Sequence, residues 1–244
     1  MEKKDFIFDR KELFRMEHTP KGKSYRTALM PERTKRKVIY NNMNLMDGIT
    51  FTPSGIPQMA AYTGTTDFEL VPYSEWRKHD GHNQALMFFL DDYRFREALW
   101  LKLEQTTLKI LHYDYFFTPD FSLWRDLPTE FYNRQNIFYT RFVGAYWQVN
   151  GLQVIPTYSF GSLPSFAYCL EGLPSHSVTA VCGLSNRKDT AAYNIWCYGL
   201  RRLEEEKCPT LILVYGPEID IPGLHTPVKF IKDFISKRFR YENN

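Results

Sequence analysis

The chain has 244 residues, 43% hydrophobic and 24% charged, which is long enough to bury a substantial core in one large domain. Its first stretch, MEKKDFIFDRKELFR, is charged throughout, and no run of about 18 apolar residues occurs, so neither a secretory leader nor a membrane-spanning helix is expected and the protein is placed in the cytoplasm. The net charge of +3 is unevenly spread: residues 1–40 hold 12 Lys and Arg against 6 Asp and Glu, residues 229–244 hold 5 against 2, and the body between holds 14 against 20.

Residues 1–60 read as a basic irregular arm, interrupted by Pro20, Pro31, Pro53 and Pro57. Two basic runs lie in it, one with Lys21, Lys23 and Arg26, the other with Arg33, Lys35, Arg36 and Lys37. A third run, with Lys237, Arg238 and Arg240, lies in the basic tail 229–244. Basic flanks around an acidic body suit a phosphate backbone, so DNA is the expected partner. Solvated tails give the same pattern.

The core, 61–228, alternates short apolar runs with amphipathic stretches. ALMFFL (85–90) reads as a buried strand, and FREALWLKLEQTTLKIL after it as a helix. YDYFF (113–117) is the next strand. A helix over 136–149 closes on Asn150-Gly151, a C-cap signature. LQVIPTY (152–158) is a strand, SFAYCLEG a short helix, SVTAVCG (177–183) a strand, AAYNIWCYGLRRLEEEK (191–207) the clearest helix, and PTLILVYG (209–216) a strand. The strands are continuously apolar, as a parallel sheet covered on both faces requires. The class is α/β, a mostly parallel sheet flanked by helices, and both an open doubly wound sheet and a distorted barrel fit.

Such folds carry their ligand site at the C-terminal strand ends. That rule selects Asp91 and Asp92 after the first strand and Asp120, Phe121, Ser122 and Trp124 after the second. It selects Tyr158 and Ser159 after the third, Ser185 and Asn186 after the fourth, and Tyr215 on the last. The stretch FFTPDFSLWRD is the most pointed. Pro119 fixes the chain direction at the strand end and a carboxylate follows. Asp120 there suits a general base or the stabilisation of a developing cation, and it equally suits an N-cap of the next helix. Asp120, then Asp92, then Asp91 are the catalytic candidates, and the other residues are candidate substrate contacts.

Other chemistry has weaker support. Cys169, Cys182, Cys197 and Cys208 form no C-x-x-C pair and read as reduced thiols. His79 and His82 lie in KHDGHN, a polar loop more than a metal pair, so no metal is expected. There is no G-x-S-x-G, H-E-x-x-H, Walker loop or G-x-G-x-x-G, so no cofactor is expected either.

The series LDDYRF, TPDFSLWRDLP, GLQVIPTYSFG, EGLPSHSVTAVCG and LILVYG resembles a bacterial and phage family described as a domain of unknown function, over roughly residues 85–217. Within that family the chain looks like a DNA glycosylase of the anti-phage type, which removes a modified cytosine from phage DNA. The resemblance implies an enzyme that flips its target base into a pocket and leaves an abasic site. It supplies no catalytic residues, so the candidates rest on the strand-end argument. No lysine falls among the strand-end candidates, although Lys188 is near, so a monofunctional enzyme without a Schiff base is expected. Two other readings stay open: a non-catalytic nucleic-acid-binding module of mobile elements, and a hydrolase acting on a small sugar or nucleotide.

Overall fold

A computed structural model describes residues 41–184 and 189–232. Seven strands, all paired in parallel, form its centre: β1 (Glu69–Pro72), β2 (Gln84–Met87), β3 (Tyr115–Phe117), β4 (Gln153–Ile155), β5 (Val178–Cys182), β6 (Leu211–Tyr215) and β7 (Val228–Ile231). Between β2 and β3 run a π-helical turn (Glu97–Leu101) and α1 (Leu103–Ile110). The helix α2 (Phe131–Val149) precedes β4, and α3 (Thr190–Lys207) lies between β5 and β6. The β4–β5 crossover holds only a 3₁₀ turn, Leu163–Ala167.

The strands form ladders β1-β2-β3-β4 and β5-β6-β7. A parallel bridge, Thr157 to Ala180, joins the two. There the Tyr158 N–H donates to the Ala180 carbonyl and the Ala180 N–H to the Pro156 carbonyl, each at 2.8 Å. Spatial order therefore follows chain order from end to end. A doubly wound sheet must reverse its order at a switch point, so that alternative is excluded.

The sheet also curls. Phe89, just beyond β2, stacks on Tyr215 at the end of β6 with ring centroids 5.3 Å apart and planes 14° apart. One apolar cluster gathers Ala85, Met87, Phe117, Ile155, Ala180 and Leu213 from five strands. A flat sheet could not bring these together, and the architecture is a distorted barrel. Between the outermost strands, the Lys229 ammonium of β7 donates to the Thr66 carbonyl ahead of β1 at 2.6 Å. Two further clusters pack the helices against strand residues, one around Phe116, Phe142 and Trp147, the other around Val181, Trp196 and Leu200.

The helix ends follow local chemistry. At the end of α2 the Gly151 N–H donates to the Gln148 carbonyl (2.9 Å) and the Leu152 N–H to the Trp147 carbonyl (3.0 Å), with Gly151 at φ +80°. That is a Schellman motif, and glycine supplies its left-handed position. α3 starts where the Asp189 carboxylate accepts the Ala191 N–H at 2.9 Å.

Two expected boundaries shift. Leu45, Ile49 and Met59 are buried in the core, and Asn42 donates to the Trp100 carbonyl at 2.8 Å, so residues 41–60 belong to the body and not to an arm. β7 crosses the proposed boundary at 228/229. β1 and β7 were not anticipated. β1 ends in proline, and β7 is only partly buried, so neither carries a long apolar run. The basic runs Lys21, Lys23, Arg26, Arg33, Lys35, Arg36, Lys37, Lys237, Arg238 and Arg240 lie outside the described residues, as do Ser185 and Asn186.

Candidate functional site

The ends of β3 and β4 are locked together first. The Thr118 and Thr157 hydroxyls are 2.6 Å apart, and the Thr157 N–H donates to Thr118 Oγ1 at 2.7 Å. Two residues beyond each threonine stand Asp120 and Ser159, and the Ser159 hydroxyl donates to Asp120 Oδ1. Asp120 is not a helix cap, because the next helix begins at Phe131 after Glu130. The carboxyl group is desolvated although the residue keeps some solvent contact.

Burial raises the Asp120 pKa from 3.8 to about 6, and the nearby Asp92 charge adds to the rise. The Ser159 hydrogen bond and the Arg141 charge oppose it. A carboxylate poised near neutrality can accept a proton or face a developing positive charge.

Asp92 is held by several donors. Its Oδ1 accepts from the Ser122 hydroxyl (2.8 Å) and the Ser122 N–H (3.1 Å), and its Oδ2 accepts from Arg96 Nη2 at 2.7 Å. Arg96 Nη2 also reaches Asn136 Oδ1 (2.8 Å), and Asn136 Nδ2 closes the ring on the Ser122 carbonyl (2.6 Å). The Arg96 guanidinium lies over Phe121, 5.0 Å from the ring centroid. Asp92 therefore spends its lone pairs pinning the loop after β3. Asp91 is exposed and sits 3.8 Å from Arg94.

Of the candidate contacts, Ser122 lies in this hydrogen-bonded ring and Ser159 bonds to Asp120. Phe121 is fully buried against Phe95 and Tyr139, and Tyr158 is buried in the outer cluster with its hydroxyl 3.5 Å from Cys169 Sγ. Tyr215 is buried under Phe89. All three rings are buried in core clusters, Phe121 and Tyr158 in the two outer ones and Tyr215 in the inner one. Trp124 is exposed over 53% of its surface.

Arg141 was missed. It is fully buried in α2 and donates to the carbonyls of Thr157 (2.9 Å), Cys169 (2.9 Å) and Glu171 (3.0 Å). Burial pulls its pKa down to about 10. The signal was a lone arginine inside the apolar run TRFVGAYW, where a surface residue was not expected. Asn133 and Asn136 were also passed over, although their i, i+3 spacing puts both on one helix face toward the 120–124 loop.

Burial pushes the Cys169 thiol up to about 11 and raises the Cys197 thiol as well, so neither is an activated nucleophile. His79 faces Gln84 (3.4 Å) and His82 faces Asp114 (3.5 Å). Among the described residues no group of three or more His, Cys, Asp or Glu could hold a metal ion, and no helix is long and apolar enough to cross a membrane. A cavity of 490 Å³ lies away from Asp120, between Met59, Phe166, Glu171 and the Arg202–Lys207 end of α3.

The family described as "Domain of unknown function (DUF4417)" matches residues 50–231. The chain is 36% identical over 143 residues to the "Gene 1 protein" of Mycobacterium phage L5, covering 57% of this chain and 62% of that protein. It is 37% identical over 132 residues to the "Gene 1 protein" of Mycobacterium phage D29, covering 54% of this chain and 48% of that one. The matched part thus spans about half to three-fifths of these curated relatives. No solved structure matches.

Proposed function

The chain belongs to the DUF4417 family, and on that premise we propose that it is a DNA glycosylase that excises a modified cytosine from phage DNA as an anti-phage defence. The observation that carries the reading is Asp120: a desolvated carboxylate at a strand end, oriented by Ser159 on a loop pinned by Asp92.

In the proposed reaction the C1′–N bond breaks and its electron pair leaves with the base. The sugar becomes cation-like, and the ionised Asp120 stabilises it. Water adds to C1′, Asp120 takes or relays its proton, and the departing base is protonated in turn. The products are a free base and an abasic site. The arrangement asks for no metal or redox step.

A non-catalytic nucleic-acid-binding module is the second reading. The aromatics Tyr93 (76% exposed) and Trp124 (53%) favour it, since both follow C-terminal strand ends.

The test is base release. Purified protein is incubated with unmodified DNA and with phage DNA carrying hydroxymethylated or glucosylated cytosine. Abasic sites are read by alkaline cleavage and free bases by mass spectrometry. Release from a modified DNA supports the enzyme. Salt-sensitive binding with no covalent change to any DNA leaves the binding module.

A further inference from the structure

Trp124 is an exposed aromatic on the loop beyond the C-terminal end of β3. Its backbone is held at both polar atoms by one side chain: the Trp124 N–H donates to Asn133 Oδ1 and Asn133 Nδ2 donates to the Trp124 carbonyl, each at 2.9 Å. Asn133 is fully buried, so losing these bonds would strand a buried amide. One residue back, Gly161 packs against Leu123 so closely that a Cβ there would lie 2.9 Å from the Leu123 carbonyl oxygen. Two residues back, Ser122 is fixed by Asp92 and Asn136. One residue on, Arg125 reaches Asp189 at 3.6 Å.

The backbone of Ser122 and Trp124 is thus anchored, yet Trp124 stays 53% exposed. A large aromatic normally goes into the core or turns one face to a partner. Here the ordering cost of holding a contact residue is met before any partner arrives.

We infer that Trp124 is a stacking wedge for the gap that an extruded base leaves in a duplex. The wedge stands four residues from Asp120 on the same pinned loop. Every base offers a π face, so the contact is indifferent to sequence, and selection among bases falls to other groups.

This inference rests on the nucleic-acid reading of the site but not on base release. The test uses the full chain and a fluorescein-labelled DNA duplex carrying one tetrahydrofuran abasic site, with binding read by anisotropy at fixed salt. Trp124→Ala is expected to bind about tenfold more weakly, and Trp124→Phe close to wild type, because a smaller ring still stacks. Circular dichroism checks that both variants are folded. Equal binding by Trp124→Ala and wild type overturns the wedge, and so does a wild type that does not bind this duplex. Base release by a wild type whose Trp124→Ala variant binds normally removes the wedge and leaves the enzyme. Lost binding in Trp124→Ala, with no base release by the wild type, keeps the wedge and removes the enzyme.

Discussion

The Ser159 hydroxyl donates to the Asp120 carboxylate, tying the end of β4 to the end of β3 across 39 residues of sequence. The bond stabilises the ionised form and so works against burial. Ser159→Ala removes that restraint and raises the Asp120 pKa further. If ionised Asp120 is the working form, activity rises with pH through about 6 in the wild type. The Ser159→Ala profile should then move to higher pH. Base-release rates against pH for both proteins give the result, and an unmoved midpoint would mean that Asp120 does not govern it.

Asp120→Asn separates chemistry from stability. Base release should fall at least about 100-fold while DNA binding persists. Stability should move the other way. Between the ordinary carboxylate value of 3.8 and about 6, the folded chain keeps a proton that the unfolded chain has released, so stability declines as pH rises through that window. Asparagine carries no charge there and still accepts the Ser159 hydroxyl. Thermal unfolding at pH 8 should show the variant more stable, by roughly 1–3 kcal/mol, with little difference at pH 3.5. A less stable variant at pH 8 would show that the carboxylate is solvated.

Asp92→Asn tests the pinned loop. Its charge raises the Asp120 pKa, so neutralising it should shift the pH midpoint of base release downward, opposite to Ser159→Ala. Asparagine keeps an acceptor but weakens the contact with Arg96 Nη2. A cost of about 1–2 kcal/mol in chemical denaturation is expected. A catalytic Asp92 would instead abolish release at every pH.

The middle of the parallel sheet, β2 to β6, was legible because those strands lie in short apolar runs, and α3 and the Asn150-Gly151 cap because their signals are local. Curling was not, since Phe89 and Tyr215 meet across 126 positions and nothing near either one announces it. The strand-end rule did bring Asp120, Ser122 and Ser159 together, since topology alone places those positions. It could not separate Asp92 as an anchor from Asp120 as the candidate acid or base. That difference depends on Arg96 and Asn136, which lie 4 and 44 residues further along. It also could not tell the buried rings of Phe121 and Tyr158 from the exposed one of Trp124. All three are aromatic and near a strand end, and only packing sorts them.

Arg141 gives the strongest stability prediction. Its guanidinium is the common partner of three carbonyls, on Thr157, Cys169 and Glu171, and Thr157 lies two residues before Ser159. The β4–β5 crossover has little regular structure to satisfy its own carbonyls, since only the Leu163–Ala167 turn is helical. Arg141→Met keeps much of the side-chain volume but leaves those acceptors buried without their donor. Each unsatisfied group costs about 1–3 kcal/mol, so a total loss of about 3 kcal/mol or more is expected in urea unfolding. Arg141→Lys should recover only part of it, because an ammonium cannot span three acceptors in the guanidinium's planar fork. The removed positive charge had also held the Asp120 pKa down, so any folded Arg141→Met protein should need a higher pH for base release. A loss below about 1 kcal/mol would mean that the crossover carbonyls find other donors, and Arg141 would then be a replaceable core residue.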